Sequence, residues 1–250
     1  MSDKTKTAVI VGASSGVGRA LAGALAARGW KLGLSARDRR DLEAVAADLN
    51  LRWNVECHPL PSDLSNWNYA GQEFCQECIN ALGAIDAVFY VAGSIYEPDE
   101  GSSDDETTRK LADVNYVSAI KTLGAFAKLF QHQGRGTLVG FSSIAAAAPR
   151  RQNVVYASAK AGLETYLRGL RHRFADTEVL VQGYALGYVD TAMAYGKKLL
   201  LPAVSPDAVA SEVVRNLNRD IGIKYYPAYW RLITLALRLL PWSIYKRLRF

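Results

Sequence analysis

Ala8-Val-Ile-Val-Gly12-Ala-Ser-Ser-Gly16-Val-Gly18 sets four apolar residues against three glycines in the next seven positions. The apolar run reads as a short buried strand, and the alanine-rich stretch beyond it as a helix ending near Gly29. Glycines between a strand and a helix let the backbone approach a pyrophosphate. The phosphates then rest on the helix N-terminus, where unpaired N–H groups point at them. Glycine-rich turns also serve plain packing, so the position directly after a first strand carries the argument. Gly12, Ser14, Ser15, Gly16, Val17 and Gly18 are the candidate dinucleotide contacts from this loop.

The rest of the chain repeats the alternation. Strands are predicted over residues 31–35, 55–60, 87–91, 137–141 and 178–182. Helices are predicted over 39–49, 67–82, 105–132 and from the residues around Tyr156 to about 174. Strands alternating with helices of this length imply right-handed parallel βαβ units in one doubly wound sheet, an α/β Rossmann-type fold. No repeat, low-complexity segment or long linker divides the 250 residues, so residues 1–226 read as one dinucleotide-binding and catalytic domain. Residues 227–250 form a basic aromatic amphipathic tail.

The net charge of +6 is localised. After Asp220 come Lys224, Arg231, Arg238, Lys246, Arg247 and Arg249 with no acid, and the first 220 residues carry 24 charges of each sign. The basic character therefore belongs to the tail and not to a nucleic-acid-binding face. Three cysteines, Cys57, Cys75 and Cys78, cannot make a disulfide framework and point to a reducing compartment. The opening Met1-Ser-Asp-Lys-Thr-Lys-Thr7 lacks an apolar signal segment, so a cytoplasmic protein is expected. Cys75 and Cys78, three apart on a predicted helix, read as small core residues rather than metal ligands.

The end of the second strand discriminates the two nicotinamide dinucleotides. A carboxylate there binds the ribose 2′-hydroxyl, and a cation accommodates a 2′-phosphate. Here Ser35-Ala36-Arg37 offers Arg37 and no acid at Ala36, which predicts NADP(H). Farther on, Ser143 precedes Tyr156-Ala-Ser-Ala-Lys160. Tyr156 and Lys160 are four apart and share a helix face. A free phenol ionises near ~10, too high for acid-base work at neutral pH, and a neighbouring ammonium is expected to lower it. Ser143, at the end of its strand, can hydrogen-bond a substrate carbonyl beside the phenol.

A glycine loop, then Asn115, Ser143, Tyr156 and Lys160 in this order, closely resembles the short-chain dehydrogenase/reductase family over nearly the whole chain. The resemblance implies strand order 3-2-1-4-5-6-7 and a homo-oligomer. It implies that Ser143 positions the carbonyl and Tyr156 exchanges the proton. Lys160 would bind the nicotinamide ribose and tune Tyr156, and Asn115 would hold a water in the proton relay. Asp63, with Leu64 beside it, matches the adenine-contacting position. Three departures stand out. The family's Asn-Asn-Ala-Gly reads Tyr90-Val91-Ala92-Gly93, and its Pro-Gly turn reads Leu186-Gly187, keeping Gly187, Val189 and Thr191 near the expected nicotinamide amide site. The threonine that often opens the glycine loop is Val11.

Residues 225–250 combine aromatics, leucines and cations, interrupted by Arg231, Arg238 and Pro241, so they are too short and too charged to span a bilayer. That composition suits a segment lying in a membrane interface, or a helix covering the substrate cleft with its cations in solvent. The stretches 149–156 and 240–247 are similar to a branch of the family that reduces keto sugars carried on polyprenyl phosphates. The function read from the sequence is interconversion of a ketone and a secondary alcohol, on a lipophilic or lipid-linked carbonyl substrate. A non-catalytic NADP-binding sensor or scaffold, motivated by Tyr90-Val91, is the alternative, and a membrane-peripheral interaction protein rests on the tail alone.

Overall fold

Side-chain alternation within fully buried strands builds the two layers of the core. Along β1 (Thr7–Val11), Ala8 and Ile10 face one helical layer while Val9 and Val11 face the other. Along β4 (Ala87–Tyr90), Ala87 and Phe89 join the first group and Val88 and Tyr90 the second. Strands apolar on both faces need helices on both faces, which is the doubly wound solution. The computed structural model describes residues 5–96, 99, 104–192, 196 and 199–248.

The remaining strands are β2 (Lys31–Ser35), β3 (Cys57–Pro59), β5 (Arg135–Ser143), β6 (Glu178–Leu186) and β7 (Ile223–Tyr226). All pair in parallel in the order β3-β2-β1-β4-β5-β6-β7, as expected. Helices α1 (Gly16–Ala26), α2 (Arg39–Trp53) and α7 (Pro206–Asn216) contribute Leu21, Leu42 and Val213 to one layer. Helices α3 (Gly71–Leu82), α5 (Ser118–Gln133) and α6 (Val154–Arg173) contribute Phe74, Phe126 and Leu163 to the other. Cys75 and Cys78 lie in that second layer, and burial pushes the Cys75 thiol up to about 11. Strand order reverses between β1 and β4, and a cleft opens at the carboxyl ends of the strands there.

Several boundaries differ from the sequence reading for local reasons. The strand expected over 55–60 shortens to β3, where Pro59 and Pro61 cannot donate to the ladder. The helix expected from residue 67 starts at Gly71, because Asn66 first turns the chain by accepting from the Asn68 N–H at 2.9 Å. The helix expected over 105–132 is interrupted. After α4 (Asp105–Ala112), Asp113–Val117 widens into a single π-helical turn before α5 begins. Such widened turns inside helices recur at functional sites.

The tail contains α8 (Tyr229–Leu239) and the short α9 (Trp242–Tyr245). Among the described residues, three hydrogen bonds join it to the segment before α6. Arg238 Nε donates to Ala147 O at 3.3 Å, the Tyr245 hydroxyl to Pro149 O at 2.6 Å, and Arg151 to Lys246 O at 3.0 Å. Among the described residues no helix is long and apolar enough to cross a membrane.

Candidate active site

The glycine loop is held against the start of the segment after β4. Gly12 has φ +96°, and a methyl group there would press on the backbone of Ala92. Gly18, in the first turn of α1, lies so close to the Gly12 carbonyl that any Cβ would overlap it. Loop and helix start therefore form one tight unit that exposes backbone to a ligand. On the far side, a methyl at Gly16 would meet the Thr191 side chain at 3.1 Å.

One cleft of about 1420 Å³ runs from this loop to α6. Every residue predicted for cofactor contact lines it: Gly12, Ser14, Ser15, Gly16, Val17 and Gly18 from the loop, and Arg37, Asp63 and Leu64 at one end. Ala92, Gly93, Gly187, Val189 and Thr191 line its middle, with Tyr156, Lys160 and Ser143 beyond them. Arg37 is exposed, free to meet a phosphate entering that end. Asp38 next to it is occupied as the N-cap of α2, accepting from Arg40 N–H at 2.8 Å. Asp63 is held below the usual carboxylate range by the hydrogen bond from Ser65, with Arg37 adding a smaller pull. The tight glycine unit, the cation and the length of the cleft fit a nicotinamide dinucleotide carrying a 2′-phosphate.

Ser143 ends β5, and Tyr156 and Lys160 rise one turn apart on α6. Lys160 Nζ donates to Phe141 O at 3.0 Å and stands 5.9 Å from the Tyr156 ring centroid. Desolvation pushes this buried ammonium down to about 8. The expected lowering of the phenol is not what the chain's own groups produce. Burial pushes Tyr156 up, and the hydrogen bond with Ser143 and the charge of Arg150 only partly offset it. A phenol so placed keeps its proton at neutral pH and could donate it, and bound groups that stabilise its anion would be needed for the reverse reaction.

Asn115 sits buried in the π-helical turn, its Nδ2 donating to Ser94 O at 2.7 Å and Leu111 O at 2.9 Å. Its Oδ1 accepts from Ser94 N–H at 3.2 Å, so the side chain clamps the segment after β4 to the turn. Gly93 brings the group together: a methyl there would lie 3.2 Å from Asn115 Oδ1 and 3.4 Å from Lys160 Nζ.

Several residues of the site carry no motif in the sequence. Asp99 belongs to an acidic stretch that reads as solvated loop, yet it is fully buried. Its carboxylate accepts from Tyr156 N–H at 2.8 Å and Val155 N–H at 3.1 Å, capping α6 at the candidate catalytic tyrosine. Its neighbour Glu100 lies outside the described residues. Tyr90, which replaces the first family asparagine, is fully buried and donates its hydroxyl to Val114 O in the π-helical turn at 2.7 Å. Glu164, one turn beyond Lys160, accepts from Ser142 at 2.9 Å, and burial pushes its carboxyl up. Trp230, Ile233, Thr234 and Leu237 of α8 wall the substrate side. The tail composition signalled an amphipathic helix, and only the fold shows which face meets the cleft.

Comparison with known proteins agrees with this geometry. An uncharacterized oxidoreductase of Mycobacterium tuberculosis is 30% identical over 240 residues, spanning 96% of each chain. A short-chain dehydrogenase from Sphingobium yanoikuyae, solved in complex with NADPH, superimposes with a TM-score of 0.81 at 24% identity, over 98% of this chain and 96% of that one. An alcohol dehydrogenase from the archaeon Thermococcus sibiricus, complexed with 5-hydroxy-NADP, has a TM-score of 0.77 and 27% identity, covering 99% and 100%. The short chain dehydrogenase family matches from the residue before β1 to a point beyond Thr191, residues 6–199, and the chain belongs to that family.

Proposed function

We propose that the protein is an NADP(H)-dependent oxidoreductase interconverting a ketone and a secondary alcohol on a lipophilic or lipid-linked substrate. The observation that carries this reading is the convergence of Ser143, Tyr156 and buried Lys160 in a cleft that also holds the glycine loop and Arg37. Relatives solved with NADPH and 5-hydroxy-NADP support the choice of cofactor. Gly12, Gly16 and the first turn of α1 would take the pyrophosphate, Arg37 the 2′-phosphate, and Asp63 with Leu64 the adenine. Lys160 would take the nicotinamide ribose, and Gly187, Val189 and Thr191 the amide.

When bound, the cofactor supplies or accepts the hydride. The protein's groups handle the oxygen and its proton. In the reducing direction the Ser143 hydroxyl donates to the substrate carbonyl, and the Tyr156 hydroxyl delivers its proton to the same oxygen as negative charge develops there. Lys160 would tune the phenol, and Asn115 would hold a water in the relay that returns its proton. The non-catalytic alternative loses ground because all four polar groups of this chemistry are present.

The apolar lining from α8 supports a lipophilic substrate. The opposite side of the tail leaves Leu232, Leu235, Leu239 and Trp242 exposed among cations, which supports contact with an anionic membrane surface. In this reading residues 1–226 are the catalytic unit, 227–250 cover the cleft, and the protein works in the cytoplasm as a homo-oligomer. The test is NADPH oxidation across a panel of lipophilic ketones. Tyr156→Phe should abolish turnover and retain NADP+ binding, and normal activity in that variant would refute the assignment.

A further inference from the structure

The segment from Leu186 to Thr191 joins the two halves of the cleft. Leu186 pairs with Ser143 across β6 and β5, and Thr191 stands beside Gly16 of the glycine loop. Gly187, Tyr188 and Val189 line the cleft between those points. A dinucleotide that reaches from the loop to Ser143 must run along this segment, so the height of its backbone sets one wall for the reacting ring. The outer side of the segment is pinned at Val204. The Val204 N–H donates to Tyr188 O at 3.0 Å, and its carbonyl accepts from Asp190 N–H at 2.9 Å.

Trp230 holds the same segment at Gly187. Tyr226 of β7 pairs with Leu186, and its carbonyl accepts from Gly187 N–H at 2.9 Å. The chain then turns into α8, and the Trp230 indole comes down on Gly187, where a methyl group would overlap Nε1 and Cδ1 of the ring. Gly187 does not have a positive φ, so its backbone would accept alanine, and only the indole demands glycine. The ring is 4% exposed and stands edge-on to Tyr188 at 5.2 Å and 87°. Its Nε1 makes no hydrogen bond with the described residues, so the ring acts here by its bulk. Its own backbone is fixed, the N–H donating to Pro227 O at 3.2 Å and the carbonyl accepting from Thr234 Oγ1 at 2.8 Å. Packed interiors have little free volume, so a large ring on bare backbone transmits its position to that backbone.

We propose that Trp230 is a positioning residue for the nicotinamide end of the cofactor, holding the backbone at Gly187 at the height that half of the dinucleotide requires. This rests on the reading above that the cleft takes NADP(H) with its nicotinamide beside Gly187, Val189 and Thr191. The tail then completes the cofactor site as well as lining the substrate side. The effect is confined to one end of the cleft. Arg37, Asp63 and Leu64, at the adenine end, follow β2 and β3, at the opposite edge of the sheet from β7 and α8.

The experiment is calorimetric titration of the full chain with NADP+ and with 2′,5′-ADP, which has the adenine, ribose and 2′-phosphate but no nicotinamide. Trp230→Ala should weaken NADP+ about tenfold and 2′,5′-ADP less than about twofold. Gly187→Ala should weaken NADP+ by a similar factor in the parent, because methyl and indole cannot both fit. In the Trp230→Ala background the same change should cost less than about twofold, the non-additivity that a direct contact of ring on backbone requires. Trp230→Leu keeps apolar bulk in place and decides the matter if the alanine variant loses both ligands. Selective loss of NADP+ in Trp230→Leu upholds the assignment, and equal loss of both ligands overturns it. Unchanged NADP+ binding in Trp230→Ala, or a Gly187→Ala cost that is the same in both backgrounds, would overturn it and leave the cofactor reading standing. A parent that binds neither NADP+ nor 2′,5′-ADP would remove the cofactor reading, and this assignment with it.

Discussion

Replacing Tyr90 by phenylalanine removes one oxygen atom and tests how the π-helical turn is held in register. The Tyr90 hydroxyl donates to Val114 O at 2.7 Å from a fully buried position, and burial keeps it protonated, with its pKa well above 10. Without it the Val114 carbonyl, part-buried beside the cleft, loses its donor. The penalty for such a loss is ~1–3 kcal/mol. In a chain of 250 residues this corresponds to a fall in Tm of roughly 2–10 °C. Val114 immediately precedes Asn115, whose side chain clamps Ser94 and whose position is set by the same turn. A loosened turn should therefore lower kcat by about tenfold or more while KM for NADPH changes less than about twofold, because misplacement acts on the reacting geometry. Differential scanning calorimetry and steady-state NADPH oxidation read the two effects. A Tm within about 1 °C of the parent would show that the bond carries no structural weight. A lowered Tm with unchanged kcat would show that the turn is not coupled to the chemistry.

Lys160→Met should be more stable than the parent at pH 7 even though it is inactive. The folded-state pKa of about 8 lies below the ordinary lysine value, so the unfolded chain binds the extra proton between about 8 and 10.5 and stability rises with pH in that window. Below it the full penalty of burying the ammonium is present, on the order of 1–3 kcal/mol after its bond to Phe141 O is counted. Urea unfolding at pH 7 and pH 10 should show the pH-dependent gain in the parent and its loss in the variant; equal slopes would refute the burial argument. Arg37→Ala should raise KM for NADPH by about 10–100-fold and leave KM for NADH unchanged, since only the 2′-phosphate contact is lost. A parallel rise for both cofactors would place Arg37 elsewhere. Leu239 and Trp242 are 75% and 72% exposed, so Leu239→Ser with Trp242→Ser should leave Tm within about 2 °C. The same pair should abolish sedimentation with phosphatidylglycerol vesicles, and a parent protein that stays in the supernatant would remove the membrane contact altogether.

The sheet was readable because its strands are short apolar runs between strong turn signals. Lys31–Ser35 begins and ends where the pattern places it, and Ser143, Tyr156 and Lys160 come together from their spacing alone. What the pattern hides is a one-residue change of phase. Widening the helix at Asp113–Val117 shifts the helical face without introducing proline or glycine, so residues 105–132 read as continuous. Asp99 was hidden for a different reason: an acidic residue among acids reads as solvated, and its partners at Val155 and Tyr156 lie more than fifty residues away. Tyr90 is recognisable in sequence only as an aromatic in a strand, since the carbonyl it serves is on another element. Arg150 stands beside Arg151 with no difference in sequence to show that one is tied and the other is not.

The two ends of the cleft are written in different parts of the chain. The predicted dinucleotide contacts all precede residue 192, whereas the wall facing the substrate is closed by Trp230, Ile233, Leu237 and Leu248. Mutations of the α8 residues that line the cleft, apart from Trp230, which packs on Gly187, would therefore alter the proposed substrate side without touching the loop at Gly12. On the proposed reading, the substrate range is then set largely by the last twenty-odd residues and the cofactor by the loop at Gly12.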